Sequence, residues 1–143
     1  MNWIGFALLT VVFYSLFDFF IKLSSDKIHA YWGGFIVNAV SSVVLLLFIA
    51  YAKAHGEKVF DVKPNGILYS SLAGIAVGLV TVFFFKMFAS GVNLSLGVPA
   101  VRIGMVILAS LLGIIFLHEG VNLKYMVGFV VSLLGLYMVL TAK

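Results

Sequence analysis

Five long apolar runs divide the chain, near residues 3–23, 31–52, 66–89, 95–117 and 121–141. Each has the length of a membrane-crossing helix, which needs about 20 apolar residues at ~1.5 Å rise to cover ~30 Å of hydrocarbon. The polar positions gather between the runs, in "SSDKIHA", "KAHGEKVFDVKPN", "SGVNL" and "HEG". Every one of these connections holds a helix breaker, a charge or a capping residue. The cut between the fourth and fifth runs is the shortest. Barrel strands would alternate apolar and polar residues over segments of about ten. These runs are continuously apolar, so the pattern predicts an all-α membrane protein of five transmembrane helices in one domain, residues 1–143.

Composition strengthens that reading. Hydrophobic residues make up 64% of the chain and charged residues 10%, whereas a soluble domain carries about 25% charged residues. Mean hydropathy is +1.22. The absence of Cys excludes disulfides and thiolate metal sites. The His, Asp and Glu residues lack metal-ligand spacing, and no glycine loop of the phosphate-cradling type occurs. The net charge of +4 is spread along the chain, without the basic cluster that grips nucleic acid. No basic stretch precedes Trp3, and "SLFDFFIKLSS" is not a small-residue cleavage site, which speaks against a cleaved signal peptide. No nucleophile–base constellation is visible, so an enzyme is not expected and no cofactor or metal is implied.

Five crossings would put the termini on opposite sides. On the N-terminal side, face A, fall Lys53, Lys58, Lys63 and Lys124; on the other, face B, fall Lys22, Lys27, Lys86, Arg102 and Lys143. Orientation normally follows an excess of Lys and Arg on the cytoplasmic side. Four against five is no excess. Discounting Lys22, Lys86 and Arg102, which lie within the runs, gives face A a mild lead. So weak a bias permits insertion in both senses, and two inverted copies would reproduce the inverted repeats of many transporters.

The charges inside the runs carry the candidate chemistry, because ionisable groups at membrane depth are costly and usually face protein or a water-filled cavity. Thr10, Tyr14, Asp18 and Lys22 recur at steps of four in the first run, which keeps them near one helix face. Asp18 lies ~7.5 Å from the B end of its helix, Lys86 ~4.5 Å and Arg102 ~10 Å. A B-side layer of three cations and one acid follows when Asp18 is ionised. Such a layer suits a carboxylate or phosphate group. Arg102, Lys86, Asp18 and Tyr14 are therefore the expected substrate contacts, and Asp18 with Lys22 an ion pair or proton-coupling site. The blander alternatives are that Lys22 and Lys86 snorkel to the headgroups and that Asp18 only neutralises Lys22. Pro99 either bends the fourth helix near Arg102 or occupies its first turn at little cost. Small residues at Gly74 and Gly78, Gly104 and Gly113, and Gly128 and Gly135 are read as helix-packing positions. Asn38, Ser41 and Ser42 are read as interhelical hydrogen bonders. Glu119 is expected to serve the N-terminal dipole of the fifth helix.

The stretch "FFKMFASGVNLSLGVP" followed by "LLGIIFLHEGVNLKYMVGFVVSLLGLYMVL" resembles the EamA branch of the drug/metabolite transporter superfamily. The matching positions are Pro99, Gly113, Leu117–Glu119, Gly128 and Gly135, with the "FIKLSS" end of the first run compatible. The resemblance covers the whole chain as one five-helix repeat. Most members carry two, so it implies that two copies associate around a cavity lined by the first, third and fourth helices; with the charge count this gives an antiparallel homodimer as the expectation, a partner of opposite sense encoded elsewhere or a parallel oligomer being the alternatives. It implies a carrier of a small metabolite working by alternating access in a prokaryotic inner membrane, with the lipid bilayer and the solute as its other partners. Small multidrug transporters, four-helix antiparallel dimers, offer an alternative. Their buried Glu stands two turns before a Lys; aligning on Lys22 puts Tyr14 there, and the acid is instead Asp18. A lipid-linked-sugar flippase component and a non-transporting membrane scaffold are the remaining alternatives.

Overall fold

The computed structural model describes residues 2–63 and 65–141. Lys143, counted above on face B, lies outside them. Five helices follow one another: α1 (Trp3–Ser24), α2 (Ala30–Ala54), α3 (Gly66–Ala89), α4 (Leu94–Phe116) and α5 (Leu123–Thr141). No strand occurs among the described residues. Helices α1 to α4 are each long and apolar enough to cross a membrane, and α5 contributes a shorter described apolar stretch, Leu123–Gly135.

The helix ends follow from local chemistry. Asn2 caps α1, its Oδ1 accepting from the Gly5 N–H at 3.1 Å. A side-chain acceptor there satisfies one of the donors that a helix start leaves without an intrahelical partner. Helix α3 stops at Gly91, whose φ of +92° turns the chain out of the helix. Asn122 caps α5: its Oδ1 accepts from the Tyr125 N–H at 2.8 Å. That moves the start of α5 two residues past the expected 121.

Glu119 does something other than expected. Its backbone N–H donates to the Gly113 carbonyl at 3.2 Å, and its carboxylate folds back over Gly113, where an added Cβ would lie 2.6 Å from Oε2. The reversal is made at His118, in the left-handed region at φ +52°. The acid is thus spent on the end of α4, and the α5 dipole role passes to Asn122.

The described helices form two compact units, α1–α3 up to Gly91 and α4–α5 from Val92. In the first unit α3 packs against both α1 and α2. Its inward stripe is Thr81, Phe84, Phe85 and Phe88, all buried, at the i, i+3, i+4, i+7 spacing of one helix face. Phe83, between them, points outward. The partners are Asp18, Ile21 and Ser25 at the end of α1, and Gly33 and Gly34 at the start of α2, also buried. Every one of these positions lies toward face B. Toward face A the same three helices are almost wholly exposed along their length.

The close approach of α2 to α3 depends on Gly33. A Cβ there would meet the Phe85 ring at 2.6 and 2.7 Å, so the ring lies directly on the α2 backbone. The expected packing glycines behave differently. A Cβ on Gly74, Gly78, Gly104, Gly128 or Gly135 meets no described atom within 4 Å. Gly113 is crowded, but by the Glu119 carboxylate rather than a facing helix.

Hydroxyl groups are mostly satisfied by their own helices. Ser41 and Ser42 donate to the carbonyls of Val37 and Asn38, each at 2.8 Å, which is the usual refuge for a hydroxyl within a helix. Of the three expected interhelical bonders, only Asn38 crosses: its Nδ2 donates to Gly34 O at 2.8 Å and reaches Thr81 Oγ1 at 3.4 Å.

Candidate functional site

The polar stripe of α1 runs from open to enclosed. Thr10 is exposed and donates its hydroxyl to Phe6 O at 2.9 Å. Tyr14, one turn on, is half exposed and meets Phe17 edge-on at 6.2 Å between ring centroids. Asp18 is only 3% exposed. The exposed part of the stripe borders a groove of about 380 Å³ lined by Phe6, Leu9, Thr10, Phe13, Tyr14 and Phe17. Beyond the groove stands an aromatic wall. Phe17 lies 6.4 Å from Phe84, and Phe84 meets Phe88 edge-on at 5.6 Å. A carboxylate so enclosed is expensive unless partnered, and Asp18 does engage in polar interaction.

Lys22 completes the stripe and turns toward α3. Its Nζ donates to the Phe88 carbonyl at 3.4 Å and stands 5.6 Å from the Phe88 ring centroid. The acceptor is one of the last carbonyls of α3, where the partial negative end of the helix lies. Lys86 goes elsewhere. It is exposed, donates to the Tyr31 hydroxyl at 3.0 Å, and sits 4.8 Å from that ring's centroid. Tyr31 and Trp32 are both more than half exposed at the start of α2, and such aromatics mark the headgroup level of a membrane. The two lysines, which look alike in sequence, thus have different surroundings: one half-buried at a helix end, the other in an aromatic belt.

Arg102 belongs to the second unit. It is half-buried on α4, with Nη1 3.9 Å from the Met105 sulfur among its interactions. Helix α4 begins at Leu94 and continues through Pro99, so the proline occupies neither a first turn nor a break. Lacking an N–H, it leaves the Ser95 carbonyl without its usual helical donor. Between α4 and α5 lies an apolar crevice of about 230 Å³, lined by residues such as Ile107, Ile114, Met126 and Phe129. Ser110 and Tyr125 close its polar edge with a 2.7 Å hydroxyl–hydroxyl bond. Among the described residues no group of three or more acidic or His side chains gathers as metal ligands would.

The helix order, the apolar spans and the charges at membrane depth all fit a polytopic carrier, and a family comparison decides the class. The model of the EamA-like transporter family matches residues 1–141. The chain belongs to the EamA-like transporter family. No curated protein and no solved structure matches it. This EamA-like chain is therefore an integral, multi-pass membrane protein of a transporter family. Two features of the EamA-like site were hidden in the sequence. Thr81 reads as one small polar residue among many, and nothing in "FFFKMF" says which ring faces inward. The doubled glycine of "YWGGF" was the available signal for the α2–α3 approach.

Proposed function

We propose that the chain carries a small metabolite across the membrane by alternating access, two copies associating in opposite senses. Arg102 takes the anionic group of the solute, a carboxylate or phosphate, through the planar fork that suits such groups. Asp18 is the proton-coupling acid, and Tyr14 lines the approach to it along α1. Lys86 steadies the carrier at the headgroup level beside Tyr31. The observation that carries this reading is the enclosure of Asp18 at 3% exposure within a membrane-spanning helix of a chain whose family transports. A buried acid retained against its desolvation cost is the group expected to exchange a proton.

The test uses purified protein in liposomes loaded with candidate organic and phosphorylated anions. Asp18→Asn keeps the size of the side chain and removes its proton exchange. The variant is expected to exchange solute between equal pools yet fail to accumulate it under an imposed proton gradient. Wild-type accumulation by Asp18→Asn would remove the coupling role.

The α1 groove supports a second reading. Its lining of Phe6, Phe13, Tyr14 and Phe17 suits a flat hydrophobic cation, for which Asp18 would be the counter-charge. An exporter of that kind would bind such cations in the wild type and lose them in Asp18→Asn, while ignoring anions.

A further inference from the structure

The first unit is closed at one end only, and Lys22 sits at the closure. From Phe17 onward α1 is packed against the last two turns of α3, and before Phe17 it is open. The groove along α1 ends where the Phe17, Phe84 and Phe88 rings begin. Asp18 is the next residue after Phe17 and is 3% exposed. Beside this aromatic wall the Lys22 ammonium joins α1 to α3 through the Phe88 carbonyl. Phe88 is itself 1% exposed, so one residue supplies both a ring of the wall and the acceptor of the cation. At 3.4 Å the bond is long for a charged donor, which makes it a contact that can be given up.

We propose that Lys22 is a positioning residue, the latch of a face-B gate: by holding the Phe88 carbonyl it keeps the Phe84–Phe88 wall shut beside Asp18, and the carrier opens toward face B by releasing it. The proposal rests on the carrier reading above. Its chemistry is specific. The Phe88 carbonyl lies at the partially negative end of α3; it already accepts from the Gly91 N–H at 3.1 Å, and the Lys22 ammonium is a second, longer donor on it. Once released, the ammonium lies one helical turn from Asp18 on the same helix. Opening the gate and exposing the acid would therefore be one event. Lys86, engaged by Tyr31 in the aromatic belt, has no part in it.

The chain contains no Cys, so a single introduced thiol reports cleanly on closure. Ile21→Cys places it at a position that is 2% exposed at the end of α1, next to Lys22. Labelling by a charged, membrane-impermeant thiol reagent in proteoliposomes is expected to be slow. Adding Lys22→Met should raise the rate about tenfold, the value of one charge-assisted hydrogen bond. Adding Lys22→Arg should restore slow labelling, and adding Lys86→Met should leave it slow. Lys22→Gln keeps a weaker donor and should give a smaller rise, a check available if the Met variant assembles poorly. An unchanged rate in Lys22→Met overturns the proposal, as does an equal rise in Lys86→Met. Labelling reads closure whether or not solute moves. A working latch in a protein that carries nothing would therefore sink the carrier reading and leave the gate.

Discussion

Arg102→Ala is expected to slow solute uptake about 100-fold at low solute concentration, with the protein still assembled in the membrane. The size follows from what is removed. A fixed guanidinium within a span costs about 2.5–3.5 kcal/mol on insertion scales, so its retention calls for a return of similar size. A bidentate bond to a carboxylate or phosphate supplies about 3 kcal/mol where water is excluded, and each 1.4 kcal/mol is tenfold. Arg102→Lys is expected to recover only part, because an ammonium holds the charge without the fork. Uptake in liposomes at solute levels well below saturation is the measurement. Alanine and lysine variants that both transport like the wild type would show that the guanidinium serves assembly or lipid contact instead.

Gly33→Val is expected to give the largest loss of stability, about 1–3 kcal/mol from overpacking, seen as a lower thermal unfolding midpoint in detergent. The added Cβ alone would stand 2.6 Å from the Phe85 ring. That ring is 1% exposed and has nowhere to retreat. Gly113 has an equally short contact, but with the tip of Glu119, an exposed and flexible side chain. Gly113→Ala should therefore cost much less. Gly74→Ala and Gly78→Ala, facing open space within the chain, serve as controls and should leave a monomeric preparation unchanged. If Gly33→Val unfolds at the wild-type midpoint, the α2–α3 contact is not as tight as described.

The helices were legible in the sequence because a membrane span is a strong, one-dimensional signal: about 20 apolar residues with punctuation at both ends. Less legible was what each polar residue faces. Ser41 and Ser42 lie on the same α2 face as Asn38, yet a hydroxyl can return to its own helix, and both do. The amide of Asn38 is long enough to cross to Thr81 as well. Lys22 and Lys86 both lie within three residues of the B-side ends of their helices, but Tyr31 draws one outward while the end of α3 draws the other inward. Pattern alone carries no azimuth for such side chains. Glycine spacing carries no partner either. Small residues permit close approach wherever a neighbour stands, and within one chain the neighbour stands at Gly33, outside the repeated small-residue stripes. Glu119 was drawn toward α5 by the dipole argument, while the left-handed turn at His118 sends it back to Gly113.

The central claim is that the α4 guanidinium position faces an aqueous solute path rather than lipid. Arg102→Cys in this cysteine-free chain tests it most directly, by competing a charged water-borne thiol reagent against a lipid-soluble maleimide in proteoliposomes. The account predicts reaction with the charged reagent, slowed when a transported anion is present. A thiol that ignores the charged reagent and reacts only with the lipid-soluble one would contradict it.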